Sequence, residues 1–352
     1  MIPPRVLCFI TPRNLGDITL GSTFFRELAA CEYADEYIVW TRPGTAFLFD
    51  DIPGCRVVMS NFPIGTSKNF GAAAALQLIR SVREIRRLRP TLTMDLTGDF
   101  RERFLGRLIG PQPHLHPGWA ENHSFKRMNR NPFGEGTPTV VVPANVTNVY
   151  DSHRLLLEHL VGARRPCRTG KTTAPDAQPS PTFAIGLHPF ASQACRLWPE
   201  ESWTQLAAQL LDSGAIVSAF GAPSERSKLE ALFGNLGGRV RLVTESLPDF
   251  AAALSRLDLL VGLDSFSIHM AENVGTATVF INGANNPALF SPPHAEVVAS
   301  SGGCTAWPCY NKPTCVGGAS EYACIRSIDV DRVRDAIRAK LKDRGAERMG
   351  QS

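Results

Sequence analysis

Hydrophobic positions come in two alternating patterns along this chain. Short unbroken apolar runs, bounded by polar turns, are followed by longer stretches with apolar residues every three or four positions. The first run, Val6-Leu7-Cys8-Phe9-Ile10, has the length of a buried strand, and 23–28 reads as a helix. Between them lies the polar stretch Pro12-Arg13-Asn14-Leu15-Gly16-Asp17, read as a turn. Residues 37–40 and 54–59 predict a second and a third strand, with a helix-like segment at 43–49. An Ala-rich helix over 70–88 stops at Pro90, a strand at 92–98 runs into a turn, and 101–108 is again helical. Strand and helix in this succession predict a parallel, doubly wound α/β sheet.

The pattern breaks over 110–143, where Pro, His, Asn and Arg dominate; this predicts a long, positively charged loop. A helix over 148–161 follows, and 163–181 is Pro-, Thr- and Lys-rich without apolar period, the composition of a linker. The second half restarts the alternation. Strands are predicted at 183–187, 215–220, 240–243, 258–263 and 277–281, and helices at 200–213, 225–233 and 247–256. A further helix begins after Asp264-Ser265, and 330–341 forms the last one, ahead of a frayed tail. The expected organisation is an N-terminal domain over 1–163, a linker over 164–181, a C-terminal domain over 182–328, and a helix with tail over 329–352. Two Rossmann-like units would present their strand ends to a cleft between them.

Composition narrows the function classes. The chain has 352 residues, 43% hydrophobic and 20% charged, which is ordinary for a globular protein. A net charge of +4 is too small to argue for nucleic acid as the main partner. No leader pattern precedes the first apolar run, and no run reaches the roughly eighteen residues of a membrane span. Nine cysteines, an odd number, fit a reducing cytoplasm with most thiols free. Arginines at 83, 86, 87 and 89 close the 70–88 helix. They can be read as complementing the helix dipole or as a patch for a membrane surface.

Candidate chemistry sits at strand-to-helix turns. Asp17 is a carboxylate beside helix-terminal N–H groups that would lower its pKa; read alone, it is a helix cap. In the second half Ser192, Arg196, Glu225, Asp264, Ser265 and His269 recur at such turns, which one sheet edge would gather. Free N–H groups after Asp264-Ser265 suit a phosphate, with Arg196 as a forked cation and Glu225 as an acceptor for ribose hydroxyls. Neither a Gly-x-Gly-x-x-Gly nor a Gly-x-x-x-x-Gly-Lys-Ser/Thr motif is present, which disfavours dinucleotide dehydrogenases and P-loop ATPases. His114, His116 and His123 lack the spacing of a metal site, and Asp329-Val330-Asp331 reads as a cap. Cys304, Cys309, Cys315 and Cys324 contain no Cys-x-x-Cys pair, so packed thiols compete with a zinc site there.

Taken together, these segments resemble glycosyltransferase family 9, the family of the ADP-heptose:lipopolysaccharide heptosyltransferases. The resemblance rests on Arg13-Asn14-Leu15-Gly16-Asp17, on Asp95-Leu96-Thr97-Gly98 with Arg101, and on His188-Pro189 with Arg196-Leu197-Trp198-Pro199. It rests further on Gly221-Ala222-Pro223-Ser224-Glu225 and on Asp264-Ser265 with His269. It implies a GT-B fold, an α/β architecture of two Rossmann-like domains whose parallel sheets face a central cleft. It implies inverting transfer without a metal or other cofactor, from a sugar nucleotide such as ADP-heptose to a glycan, lipid-linked or small-molecule acceptor. Asp17 would be the general base. Ser192, Arg196, Glu225, Asp264, Ser265 and His269 would bind the donor, and Arg13, Asn14 and Arg101 the acceptor. Heptosyltransferases usually carry Lys where this chain has Arg196, and Gly where it has Phe266. The implied setting is cytoplasmic, extending to the inner face of the membrane. A GT-B-like epimerase or hydrolase, and a non-catalytic nucleotide-sugar binding protein, are the alternatives.

Overall fold

The structure is a computed structural model. It describes residues 4–64, 71–123, 125, 137–162, 182–300, 304, 306–309 and 312–349, the last seven as backbone only. The chain divides into two compact units, Met1–Gly170 and Lys171–Ser352. The 163–181 linker, the basic residues Lys126, Arg127 and Arg130, and residues 350–352 lie outside the described residues.

The first unit alternates β1 (Val6–Ile10), α1 (Leu15–Ala30), β2 (Glu36–Thr41), β3 (Cys55–Met59), α2 (Ala72–Arg87), β4 (Leu92–Met94) and α3 (Phe100–Ile109). It continues with β5 (His114–Leu115), β6 (Pro117–Trp119), β7 (Val140–Val142) and α4 (Val149–Val161). Its main sheet is parallel, in the order β3-β2-β1-β4-β5. A neighbour on each edge and helices on both faces leave no solvated side, so every residue of β1 is buried. Trp40, Phe9, Phe25 and Leu7 are among the fully buried side chains here. Each such side chain withdrawn from water contributes about 2–3 kcal/mol.

The second unit repeats the plan. Its elements are β8 (Ala184–His188), α5 (Glu200–Asp212), β9 (Ile216–Phe220), α6 (Arg226–Phe233), β10 (Arg241–Val243), α7 (Leu247–Leu254), β11 (Leu259–Leu263) and α8 (Phe266–Asn273). Then come β12 (Ala277–Asn282), α9 (Pro287–Phe290), β13 (Ala295–Ala299), α10 (Ala323–Arg326) and α11 (Val330–Met349). The parallel order is β10-β9-β8-β11-β12-β13. Val333, Ile337 and Leu341 recur every fourth residue on α11 and enter the core beside Ile281 and Val298.

Four expectations change. Gly16 and Asp17 belong to the first turn of α1, not to a turn before it, because Asn14 already takes the extended cap conformation. The 110–143 stretch is not one loop, since β5 extends the sheet and β6 pairs with β7. The tail from 342 on continues α11 as far as Met349. Finally β13, α9 and α10 had no sequence signal strong enough to foresee: α9 and α10 are single turns, and β13 is only partly buried. Among the described residues no helix is long and apolar enough to cross a membrane.

Candidate active site

In both units the sheet order reverses direction beside the first strand. The crevice at such a reversal, beyond the carboxyl ends of the strands, is where open α/β sheets hold ligands. In the first unit it lies between β1 and β4, and in the second between β8 and β11.

At the first reversal, Arg13 follows β1 and reaches the turn after β4. Its Nε donates to Glu102 Oε1 at 2.5 Å and its Nη2 to Glu102 Oε2 at 3.0 Å. The same Nη2 lies 2.9 Å from Asp99 Oδ2. Asp99 is also the N-cap of α3, accepting from the Arg101 backbone N–H at 2.9 Å, and its carboxylate takes both Arg101 side-chain donors. Burial pushes the Asp99 pKa up, but the hydrogen bonds and charges of Arg101 and Arg13 outweigh it and hold it at about 2. Arg13 and Arg101, read from sequence as acceptor contacts, are thus both engaged with acidic residues of α3 and its cap. Arg42, just after β2, braces the same loop, with Nε 2.7 Å from the carbonyl oxygens of both Pro12 and Arg13.

Asp95 closes the turn. Its Oδ1 accepts from the N–H groups of Thr97 at 2.7 Å and Gly98 at 2.6 Å, and its Oδ2 pairs with His114 Nε2 at 2.8 Å. Gly98 takes φ +69°, and a Cβ there would collide with the Pro117 carbonyl oxygen. The turn therefore requires glycine. His114 and His116 are part of this wall: His116 is buried against Pro117, and His114 also contacts Thr93 Oγ1 at 2.8 Å.

Asp17 and Asn14 remain exposed at this edge. Withdrawal from bulk water pushes the Asp17 carboxyl above the ordinary value; the Arg13 charge and a bond from the Asn14 N–H pull the other way. The helix-end lowering expected from sequence is outweighed, and the open face of Asp17 tempers the upward shift. A carboxylate of raised pKa that stays accessible is equipped to take a proton.

At the second reversal, Ser192 and Arg196 follow β8, Glu225 follows β9, Asp264 and Ser265 follow β11, and Asn285 follows β12. The parallel sheet brings all of these turns to one edge. Arg196 Nη1 donates to the Asp264 carbonyl oxygen at 2.8 Å, with Nε 3.5 Å from Asp264 Oδ2. Asn285 Nδ2 donates to the same Oδ2. Asp264 is buried, which raises its pKa, while Arg196 and Asn285 oppose the rise. Ser265 caps α8 with extended backbone and no side-chain bond to the helix N–H groups; its hydroxyl meets Ser267 Oγ at 2.9 Å. The first turn of α8 thus offers N–H donors and a partial positive charge beside Arg196.

His269 is buried under this turn, and burial followed by the Arg196 charge lowers its pKa to about 4. It stays neutral at pH 7 and packs the site rather than charging it. Glu225 is half-buried at the neighbouring strand end, its carboxylate accepting from the Ala222 N–H at 2.8 Å, and Ser192 is exposed. Trp198, read as part of the loop motif, anchors it by donating Nε1–H to the Ile328 carbonyl oxygen at 2.9 Å.

Asn285 was missed from sequence, since an Asn in a Gly- and Ala-bearing turn carries no spacing signal. Glu102 and Asp99 were missed because acidic residues at the start of a helix read as caps. The Cys-bearing segment braces the Asn285 turn: Cys309 N donates to Ala284 O at 3.1 Å and Trp307 Nε1 to Gly283 O at 2.9 Å. Cys304, Cys309, Cys315 and Cys324 are free thiols, and among the described residues no group of three or more His, Cys, Asp or Glu could hold a metal ion.

Residues 163–319 match the model of glycosyltransferase family 9 (heptosyltransferase). The chain thus carries a domain similar to that of glycosyltransferase family 9. This domain contains Ser192, Arg196, Glu225, Asp264, Ser265, His269 and Asn285, the whole cluster at the second reversal. It places the chain among the glycosyltransferases. The fold of the full chain agrees with it. ADP-heptose LPS heptosyltransferase II of E. coli superposes with a TM-score of 0.64 at 18% identity, covering 97% of this chain and 99% of that one. The family 9 glycosyl transferase of Veillonella parvula DSM 2008 gives 0.69 at 18% identity, covering 96% and 97%. E. coli heptosyltransferase WaaC with ADP gives 0.68 at 14% identity, covering 95% and 99%. The architecture is therefore that of the GT-B glycosyltransferases, with two parallel-sheet units. No curated protein matches the sequence.

Proposed function

We propose that the chain is an inverting, metal-independent transferase. It moves a heptose or related sugar from a nucleoside diphosphate donor, ADP-heptose or a close relative, to an acceptor hydroxyl. The observation that carries this reading is the Arg196–Asp264 pair at the start of α8, inside the family 9-like domain. A cation and free helix N–H groups at one point suit a diphosphate.

In this reading the C-terminal unit takes the donor. Arg196, Ser265 and the α8 N-terminus stabilise the charge on the leaving nucleoside diphosphate as the anomeric C–O bond breaks. Asp264, steadied by Asn285, holds sugar hydroxyls; Glu225 accepts from the ribose, and Ser192 and His269 complete the pocket. The N-terminal unit takes the acceptor, with Asn14 beside Asp17 and with Arg13 and Arg101 shaping the loop. Asp17 removes the acceptor hydroxyl proton as that oxygen bonds to the anomeric carbon from the opposite face. The acceptor is a glycan, a lipid-linked saccharide or a small molecule, and the enzyme works in the cytoplasm, in peripheral contact with the inner face of the membrane.

The test is Asp17→Asn, assayed with ADP-heptose and a truncated glycan acceptor, with donor binding followed by calorimetry. Donor binding is expected to stay within about threefold while transfer falls at least about a hundredfold. Unchanged transfer in this variant would sink the role of Asp17. Donor consumed at full rate without acceptor would instead establish an epimerase or hydrolase.

A further inference from the structure

Helix α2 carries an outward stripe that the proposed transfer reaction does not use. Leu76, Ile79, Arg80, Arg83 and Arg87 recur at three- and four-residue intervals and so share one face. All five are exposed, with Leu76 at 56% and Ile79 at 47%, whereas Ser81 and Ile85 on the opposite face are buried. Arg56 of β3 approaches from the sheet, and together Arg56, Arg80, Arg83, Glu84 and Arg87 line a pocket of 630 Å³. Glu84 answers one of the four cations, meeting Arg56 at 3.1 Å. Arg80, Arg83 and Arg87 have no ion-pair partner among the described residues.

The helix dipole does not account for these cations. Its field is confined to the last turn, which holds Arg86 and Arg87. Arg86 is directed elsewhere, with Nε on the Leu108 and Ile109 carbonyl oxygens at 2.8 and 3.1 Å. Arg80 and Arg83 stand earlier in the helix, beyond that reach. The pocket is also remote from the proposed chemistry. Arg56 lies at the amino end of β3, whereas Asp17 follows the carboxyl end of β1, so the two occupy opposite edges of the sheet.

We propose that the outer face of α2 is a docking surface for an anionic phospholipid bilayer. Arg80, Arg83, Arg87 and Arg56 would meet headgroup phosphates, while Leu76 and Ile79 would enter the acyl boundary. Such a helix lies in the plane of the interface, with its apolar positions inward and its cations at phosphate level. The neighbouring helix α3, packed against α2, adds exposed Phe104 and Arg107. The pairing of exposed aliphatic side chains with unpaired guanidinium groups on one stripe separates a bilayer from other anions. A dissolved phosphate makes no use of Leu76 and Ile79, and single-stranded nucleic acid asks for aromatic platforms, of which this stripe has none. With a few cations and two aliphatic anchors the attachment is reversible and salt-sensitive. The inference deepens the peripheral membrane contact of the proposed function by naming its surface, while the transfer chemistry itself is not required for it.

The test is co-sedimentation of the full chain with vesicles of equimolar phosphatidylglycerol and phosphatidylcholine, and with phosphatidylcholine alone, at low and high salt. Binding is expected to the anionic vesicles only and to weaken with salt. Combined Arg80→Glu, Arg83→Glu and Arg87→Glu should lower partitioning at least about a hundredfold. Leu76→Ser with Ile79→Ser should lower it about tenfold. A combined Arg→Gln set at the same three positions serves if the reversed variant does not fold, as judged by circular dichroism. Wild-type protein that stays in solution with anionic vesicles would overturn the proposal. So would equal binding to neutral vesicles, charge variants that bind as wild type does, or retention on homopolymer RNA without vesicle binding.

Discussion

Arg196 binds Asp264 twice over, donating Nη1–H to its carbonyl oxygen at 2.8 Å and holding Nε 3.5 Å from its carboxylate. One cation thus bridges the turns after β8 and β11. Removing it takes away the brace on Asp264 and, in the proposed reaction, a contact to the leaving group. Arg196→Ala is expected to lower kcat/KM at least about a hundredfold and to weaken donor binding. Arg196→Lys keeps the charge without the fork, and should recover part of the activity but less of the thermal stability. Steady-state kinetics, ADP titration and melting curves check this; full activity in the alanine variant contradicts it.

The Arg13–Glu102 pair is the counterpart in the first unit. The Glu102 side chain is 1% exposed, so Arg13→Ala strands its carboxylate in the interior. A loss of about 3–5 kcal/mol is expected by urea denaturation, and Arg13→Ala with Glu102→Leu should recover much of it. The Arg13 charge also pulls the Asp17 pKa down. Where Arg13→Gln folds, the acid limb of the kcat/KM profile should therefore move to higher pH.

Acid should loosen the second unit. His188 and His269 are buried and held at pKa values of about 4, against 6.5 ordinarily. The native state then binds fewer protons than the unfolded chain between these values. Stability is complete above about pH 6.5 and is lost as pH falls toward 4, by up to about 3 kcal/mol for each ring. His188 lies among the rings of Phe190, Phe250 and Phe266. His188→Phe should flatten the slope of melting temperature against pH in this window; an unchanged slope refutes the assignment.

Gly98→Ala tests the turn after β4. Its left-handed backbone and the close approach of the Pro117 carbonyl oxygen leave no room for a Cβ. A loss of about 2–4 kcal/mol is expected, with the melting temperature as readout. A variant as stable as wild type would show that the β4–α3 turn can relax.

The order of strands and helices was written in the sequence because buried parallel strands need unbroken apolar runs and the helices need a repeating stripe. Val6 to Ile10, Leu259 to Leu263 and α5 are legible for that reason. The turn positions that carry the cluster of the family 9-like domain are legible too, since polar residues interrupt those runs at fixed places. The partners are not. Glu102 holds Arg13 from 89 residues away, and Asn285 meets Asp264 across 21. Neither contact has a local signature, because each depends on which strands become neighbours. The same holds for the basic end of α2: sequence showed a run of arginines, and only packing separated Arg86, spent on α3 carbonyls, from Arg80, Arg83 and Arg87, left facing outward. Local pattern determines which segments are strands, helices and turns; the energetics of long-range pairing decides which side chains are consumed by the fold and which remain for chemistry.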